Sequence, residues 1–185
     1  MAAIAVSDPL LDLGNELEVR VLQPDDAEEL FERIVGERER LRRWMPWADT
    51  TRSIDDARSF IEHTRATEDL DGLGIFVEGA LVGGIGLLFE GSGIDGELGC
   101  WVVSSHEGRG VAARACGGLI ELAFGQLSLH RISVLVAADN LRSVAFVERL
   151  GFTREGLVRE GTRADTGFQD LVLYGLLEQE WTPAP

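Results

Sequence analysis

The stretch Glu97 to Leu119, ELGCWVVSSHEGRGVAARACGGL, constrains the fold more than any other part of the chain. Its apolar run predicts a strand over Leu98 to Val103, followed by a polar turn at Ser104 to Glu107. Gly108-Arg109-Gly110 then opens a helix of small residues, Val111, Ala112, Ala113, Ala115 and Cys116. The first backbone N–H groups of such a helix have no partner within it. Together with the positive end of the helix they make an anion site, which glycine lets phosphate oxygens approach closely. Arg109 and Arg114 add side-chain charge on the same turns. The glycine pattern alone is not diagnostic. Gly108-x-Gly110 lacks the third glycine of a dinucleotide fingerprint, and no Gly-Lys-Ser/Thr follows as in a nucleotide-binding P-loop.

The surrounding pattern predicts one mixed α/β sheet of about seven strands with helices on both faces. Residues 1–15 lack periodicity and read as a lead-in, and residues 16–181 as a single domain. Leu17 to Leu22 alternates as a first strand, and a helix begins near Asp25 with Ala27, Leu30, Phe31 and Ile34 as its apolar stripe. Gly36 predicts a break, with a second short helix from Glu37 to Arg43 that ends at Trp44-Met45-Pro46-Trp47. Ile54, Ala57, Phe60 and Ile61 space as another helix. A hairpin turning at Gly79-Ala80 is expected next, then a turn from Gly91 to Gly96. Beyond the central strand, a helix from Gly110 to Gln126 leads to a strand over Arg131 to Ala137, and Asn140 caps a helix running through Leu150. Two last strands, Phe152 to Arg159 and Phe168 to Leu177, flank a polar loop from Glu160 to Gly167.

Composition narrows the function. The 185 residues carry a formal net charge of −15, and all 17 basic side chains are arginine. The acidity is concentrated in the first hundred residues, where 9 arginines face 22 acidic side chains; the remainder has 8 against 10. Nucleic acid requires a basic face, so it is excluded as a partner. The less acidic half suits a polyanionic ligand and the acidic half a cationic one. Apolar runs fall short of the ~20 residues a membrane span needs, and no leader pattern opens the chain. Two cysteines, Cys100 and Cys116, make neither a disulfide framework nor a metal cluster. A cytoplasmic location without a metal is therefore expected.

Four motifs taken together, Trp101-Val102-Val103, Gly108-x-Gly110, Asn140-x-x-Ser143 and Leu150-Gly151-Phe152, resemble the GNAT superfamily of N-acetyltransferases. The match is closest to the RimJ/RimL type, which acetylates protein N-termini, and it extends from about Leu17 to Trp181. The resemblance implies acetyl-CoA as acyl donor. Backbone groups of Trp101 and Val103 would pair with the pantetheine amides, and main-chain N–H groups of Glu107, Gly108, Arg109, Gly110, Val111 and Ala112 would hold the pyrophosphate. The N–H of Val102 or Val103 would polarise the thioester carbonyl. Many members protonate the departing sulfur with a tyrosine before the Leu-Gly-Phe turn. Here Val147 stands near that place and the single tyrosine is Tyr174, so Ser143 takes the role by likeness to RimL, with Asn140 orienting the pantetheine or binding the sulfur. The general base is Glu97 or Glu160. The sequence around Trp44 and Trp47 matches a recurring feature of the RimJ/RimL type, which implies an acceptor-side wall made chiefly by Trp47, with Trp44 packing. The same resemblance extends to a homodimer as the assembly to test.

The acceptor class follows from amine acidity. An α-amino group titrates near ~7.7–8.0 and a lysine near ~10.4, so far more of the former is neutral at pH 7. Without an obvious strong base, the chain is better matched to an N-terminal α-amine of a protein or peptide. A small amine acceptor, or a non-catalytic acyl-CoA-binding role, stays open.

Overall fold

Short apolar strands of alternating burial pair edge to edge because each has one face to hide and a ladder of backbone groups to satisfy. In the computed structural model, which describes residues 10–67, 70–90 and 94–182, they form one eight-stranded sheet. In chain order the strands are β1 (Leu11–Asp12), β2 (Leu17–Val21), β3 (Leu70–Val77), β4 (Ala80–Glu90), β5 (Asp95–Val102), β6 (Arg131–Ala137), β7 (Thr153–Ala164) and β8 (Gly167–Leu177). The helices are α1 (Ala27–Leu41), α2 (Ile54–Arg65), α3 (Val111–Gly125) and α4 (Leu141–Arg149). Spatial order is β1-β2-β3-β4-β5-β6-β8-β7, antiparallel throughout except for the parallel pair β5–β6.

One face of the sheet packs α3 and α4 in a core built on Val19, Ile75, Ile85, Leu119, Ile120, Ile132 and Tyr174. On the other face, α1 and α2 cover β3 to β5 through Leu30, Ile34, Ala57, Ile61, Phe76 and Leu81. Among the described residues no helix is long and apolar enough to cross a membrane.

Four expectations are corrected. Helix α1 runs unbroken through Gly36, whose position is exposed; a glycine there costs only about 1 kcal/mol, which the buried stripe offsets. The lead-in is not loose where it is described. Leu11 and Asp12 pair with Val19 and Glu18, Leu10 joins the core, and residues 1–9 lie outside the described residues. The expected loop from Glu160 to Gly167 is mostly strand: β7 continues to Ala164 through a bulge at Glu160, whose φ is 52°. Finally, β5 begins at Asp95, inside the turn expected over Gly91 to Gly96, of which residues 91–93 lie outside the description.

Candidate active site

Parallel strands β5 and β6 stay paired only from Asp95–Arg131 to Glu97–Ser133, after which each runs on without the other. The antiparallel register with β4 then decides which backbone groups face the gap. Val103 N–H donates to Val82 O at 2.8 Å, and Val102 opposes Gly83. Since opposed residues alternate between bonded and non-bonded pairs, Trp101 spends its backbone groups on β4, while those of Cys100 and Val102 turn toward the gap. The Val102 carbonyl accepts from Arg40 Nη2 at 2.6 Å, as a group outside the ladder can. Trp101 and Val103, expected to pair with the coenzyme arm, are thus committed to β4, and Val102 keeps the amide that can serve a carbonyl.

Both helices that follow these strands begin at the open end of the gap. After β5 comes a single 3-10 turn, Ser104–His106, and then Gly108 and Gly110 with φ of 72° and 79°. Side chains resist this left-handed region, and a Cβ built at either glycine meets nothing within 4 Å, so the turn is an open backbone cradle. Gly110 is the N-cap of α3 and supplies no side-chain cap, which leaves the amides of the first turn, including Val111 and Ala112, to an external anion. Arg109 is exposed beside them.

The Glu107 N–H does not belong to this set, because it donates to Ser104 O at 3.2 Å. Its carboxylate instead pairs with Arg40 at 2.8 Å and with Arg142 of α4, bridging the two helix starts. Nor does Arg114 point at the cradle; its guanidinium donates to the carbonyls of Leu13 and Gly14. Glu37 completes the tether from α1, accepting from Ser104 N–H at 2.8 Å, from the Ser104 hydroxyl at 2.7 Å and from Arg40 Nε at 2.6 Å. Burial opposes the Glu37 charge, yet these donors outweigh it and hold the carboxyl below the ordinary glutamate range.

Asn140 caps α4, its Oδ1 accepting from Ser143 N–H at 3.2 Å. Its side chain is thereby occupied in the manner of an ordinary cap. Ser143 is half-buried in the first turn of α4. Tyr174 is buried, donates to Glu148 Oε1 at 3.0 Å, and has its pKa raised by burial and then by Glu148, so it is no source of a ready proton.

On the α1/α2 side lies a cavity of about 440 Å³. Its floor is glycine: Gly84 opposes Trp101 and Gly86 opposes Gly99. A Cβ at Gly84 would come within 2.6 Å of Trp101 Nε1, so the missing side chain is what lets the indole lie on the sheet. Leu30 and Ile34 of α1, Phe60 of α2 and Trp47 wall it, and the rings of Trp47 and Trp101 sit 6.0 Å apart. Trp47 owes its place to Pro46, which keeps Met45 extended and ends the helical path. Trp44, half-buried, is not among the lining residues.

Glu97 lines the cavity, while Glu160 is exposed in the β7 bulge, donates its N–H to Asp170 and lies outside the lining. Asp71 lines it as well and escaped the sequence reading. The available signal was an acidic residue followed by Gly72 inside an apolar strand, where Asp is disfavoured; the structure has a register shift there, between Leu70 and Leu73. The Arg42–Asp165 ion pair at 3.4 Å and the Gln169 Nε2 to Arg43 O bond at 3.2 Å tie the β7–β8 turn to the end of α1.

The chain is similar to known proteins in both sequence and fold. Residues 16–153 match the acetyltransferase (GNAT) domain. YdaF of Bacillus subtilis (strain 168), whose name assigns it provisionally to the ribosomal N-acetyltransferases, is 36% identical over 174 residues, covering 91% of this chain and 95% of its own. Solved structures share the fold. A microcin self-immunity acetyltransferase in complex with acetyl-CoA and AMP superposes with a TM-score of 0.83 at 21% identity, covering 94% of this chain and 99% of that one. RimL, a ribosomal-protein α-N-acetyltransferase in complex with coenzyme A, gives 0.81 at 19% identity, covering 90% and 96%.

Proposed function

The chain belongs to the acetyltransferase (GNAT) family, with RimJ/RimL-like relatives, and from that premise we propose that it acetylates the N-terminal α-amine of a protein or peptide. The observation that carries the reading is a gap between β5 and β6 with an open anion cradle at its mouth and a carboxylate-bearing cavity on the opposite face of the sheet. Acetyl-CoA, the donor of this family, supplies an activated acetyl thioester. The Gly108–Ala112 backbone would hold its diphosphate, and the gap-facing backbone groups of Cys100 its pantetheine amides.

The chain's own residues then divide the work. The Val102 N–H is aimed into the gap, where it can stabilise charge developing on the acyl oxygen. Glu97, on the cavity side of β5, takes a proton from the acceptor ammonium, directly or through water. The neutral amine attacks the thioester carbonyl, and the new N–C bond forms as the C–S bond breaks; the proton shed by the acylated nitrogen passes to water, while the Ser143 hydroxyl protonates the sulfur and is itself reprotonated from water. No residue is acylated along the way.

The test offers one peptide with a free N-terminus and an internal lysine, the same peptide with its N-terminus blocked, and a set of small amines. CoA release is followed and the product mapped by fragmentation. Modification of the α-amine in the free peptide alone is expected. Acetylation at lysine, or turnover confined to small amines, would reject the N-terminal acceptor. The cavity volume of about 440 Å³ also favours a small amine as acceptor.

A further inference from the structure

We propose that the cavity between α1, α2 and the β4–β5 floor selects acceptors whose amine is carried on a bulky apolar body. In the peptide reading this means a first residue such as Leu, Met or Phe in preference to Gly, Ser or Ala. The inference rests on the site being an amine-acceptor site and adds the class of acceptor it takes.

Three observations converge. The first is space. Gly86 and Gly99 oppose each other in the floor, but only one of them is filled from elsewhere. A Cβ at Gly86 would come within 2.7 Å of Asp71 Oδ1, whereas a Cβ at Gly99 meets nothing within 4 Å. The about 440 Å³ of the cavity therefore opens above Gly99, next to Trp101 and two residues from Glu97 on the same face. An acceptor with a hydrogen or a methyl at this place would leave most of that volume to water.

The second observation is the character of the wall. Leu30, Ile34, Trp47, Phe60 and Leu88 line it, and Phe60 and Leu88 are 41% and 42% exposed. Apolar side chains left in water by two elements that face each other are covered when an apolar body enters between them. A serine-sized acceptor would bury little of this surface.

The third is charge. Among the described residues lining the cavity, Asp56, Asp71 and Glu97 are acidic and none is basic. Asp56 is spent on capping α2, accepting from the Arg52 and Ser53 N–H groups. Asp71 and Glu97 lie on the floor side, Asp71 against Gly86 and Glu97 opposite Leu88. The arrangement is amphipathic, acidic at the floor and apolar along the walls. It matches an ammonium attached directly to an apolar group, as in a peptide that begins with a bulky apolar residue or in an arylalkylamine.

The experiment uses the full chain with acetyl-CoA. Peptides identical except for their first residue (Leu, Met, Phe, Ala, Ser, Gly) are compared with phenethylamine and ethanolamine by kcat/KM. The bulky apolar peptides should exceed the Ala, Ser and Gly peptides by about ten-fold or more, the discrimination one or more methylene groups give in an apolar pocket. Phenethylamine should exceed ethanolamine in the same sense. Gly99→Leu sets its Cβ where no atom lies within 4 Å and extends into the cavity, so it should abolish the preference while calorimetric binding of acetyl-CoA persists. Phe60→Ala, at a half-open surface position, should reduce the preference for Phe specifically and serves if Gly99→Leu does not fold.

Equal or faster turnover of the Ala, Ser and Gly peptides would overturn the inference, as would a preference that survives Gly99→Leu. Turnover of phenethylamine over ethanolamine with no peptide modified would remove the N-terminal assignment and leave the cavity inference standing. Acetylation of every N-terminus at one rate would do the reverse.

Discussion

Two residues carry the proton traffic of the proposed reaction, and kinetics can tell them apart. Glu97 lines the acceptor cavity and Ser143 opens α4 at the gap. Either Glu97→Gln or Ser143→Ala is expected to lower turnover by about 10²- to 10⁴-fold, the range positioned acid–base groups supply. Only Glu97→Gln should also move the acidic limb of the kcat/KM–pH profile up to the acceptor's own amine value of ~7.7–8.0, because the variant must take the amine already neutral. If Glu97→Gln keeps the limb and most of the rate, the base is elsewhere, with Asp71 the next residue to replace. At this scale the sequence was informative where chemistry and local structure coincide. Glu97 shares a strand face with Gly99 and Trp101, as the two-residue alternation of a strand requires. The sequence was uninformative where a side chain's partner lies far along the chain. Glu107 sits in the anion turn by sequence, yet its amide is spent on Ser104 and its carboxylate on Arg40 and Arg142. Arg114, four residues past Gly110, turns back to the lead-in instead.

Among the elements, α1 does more than cover the sheet. Its last turns reach the loop after β5, where Glu37 holds the Ser104 N–H and hydroxyl and Arg40 holds Glu107 and the Val102 carbonyl. Predicting a break at Gly36 hid this tether, because the break would have detached Glu37 and Arg40 from the rigid part of the helix. Glycine propensity is a local quantity, and the packing that overrides it, through Leu30, Ile34 and Leu41, is not. The bulge at Glu160 misled in the same way, since pairing of β7 with β8 resumes at Thr162–Gln169 beyond a segment that reads as polar loop. The tether is pH-sensitive in a defined direction. The folded state holds the Glu37 carboxyl below its ordinary value, so the unfolded chain binds that proton more readily. The stabilisation is present in full above the unfolded value of ~4.3 and is lost as pH falls through the folded one. Glu37→Gln should therefore lower the melting temperature near neutral pH and flatten its decline between pH 5 and pH 3. A variant that melts in parallel with the wild type across that window would show that the tether contributes nothing.

For the molecule as a whole, the decisive feature is a sheet that opens where β5 and β6 part. Nothing in Leu98 to Val102 announces it: the run looks like any buried strand, and the parting is a relation to β6, some thirty residues on. What could be read was the consequence at the helix start, since glycines at 108 and 110 make sense only if the backbone there must be left-handed and uncovered. A ligand held across the gap joins the two halves of the sheet and so stabilises the entire fold. At a concentration 100-fold above its dissociation constant, acetyl-CoA should add about 2.7 kcal/mol, which raises the melting temperature by roughly 5–10 °C for a chain of this size. Gly110→Ala tests where that stabilisation originates. The left-handed backbone should cost the free protein about 1–2 kcal/mol, and the new methyl would project into the open space above the cradle. The variant should then both melt lower and lose most of the acetyl-CoA shift. Gly36→Ala is the matched control, because it adds a methyl into open space on α1, far from any strained backbone. It should raise the melting temperature slightly and keep the shift intact. An unchanged acetyl-CoA shift in Gly110→Ala would mean that the coenzyme is not gripped at the start of α3, and the roles given to Val102 and Ser143 at that end of the gap would have to be given up with it.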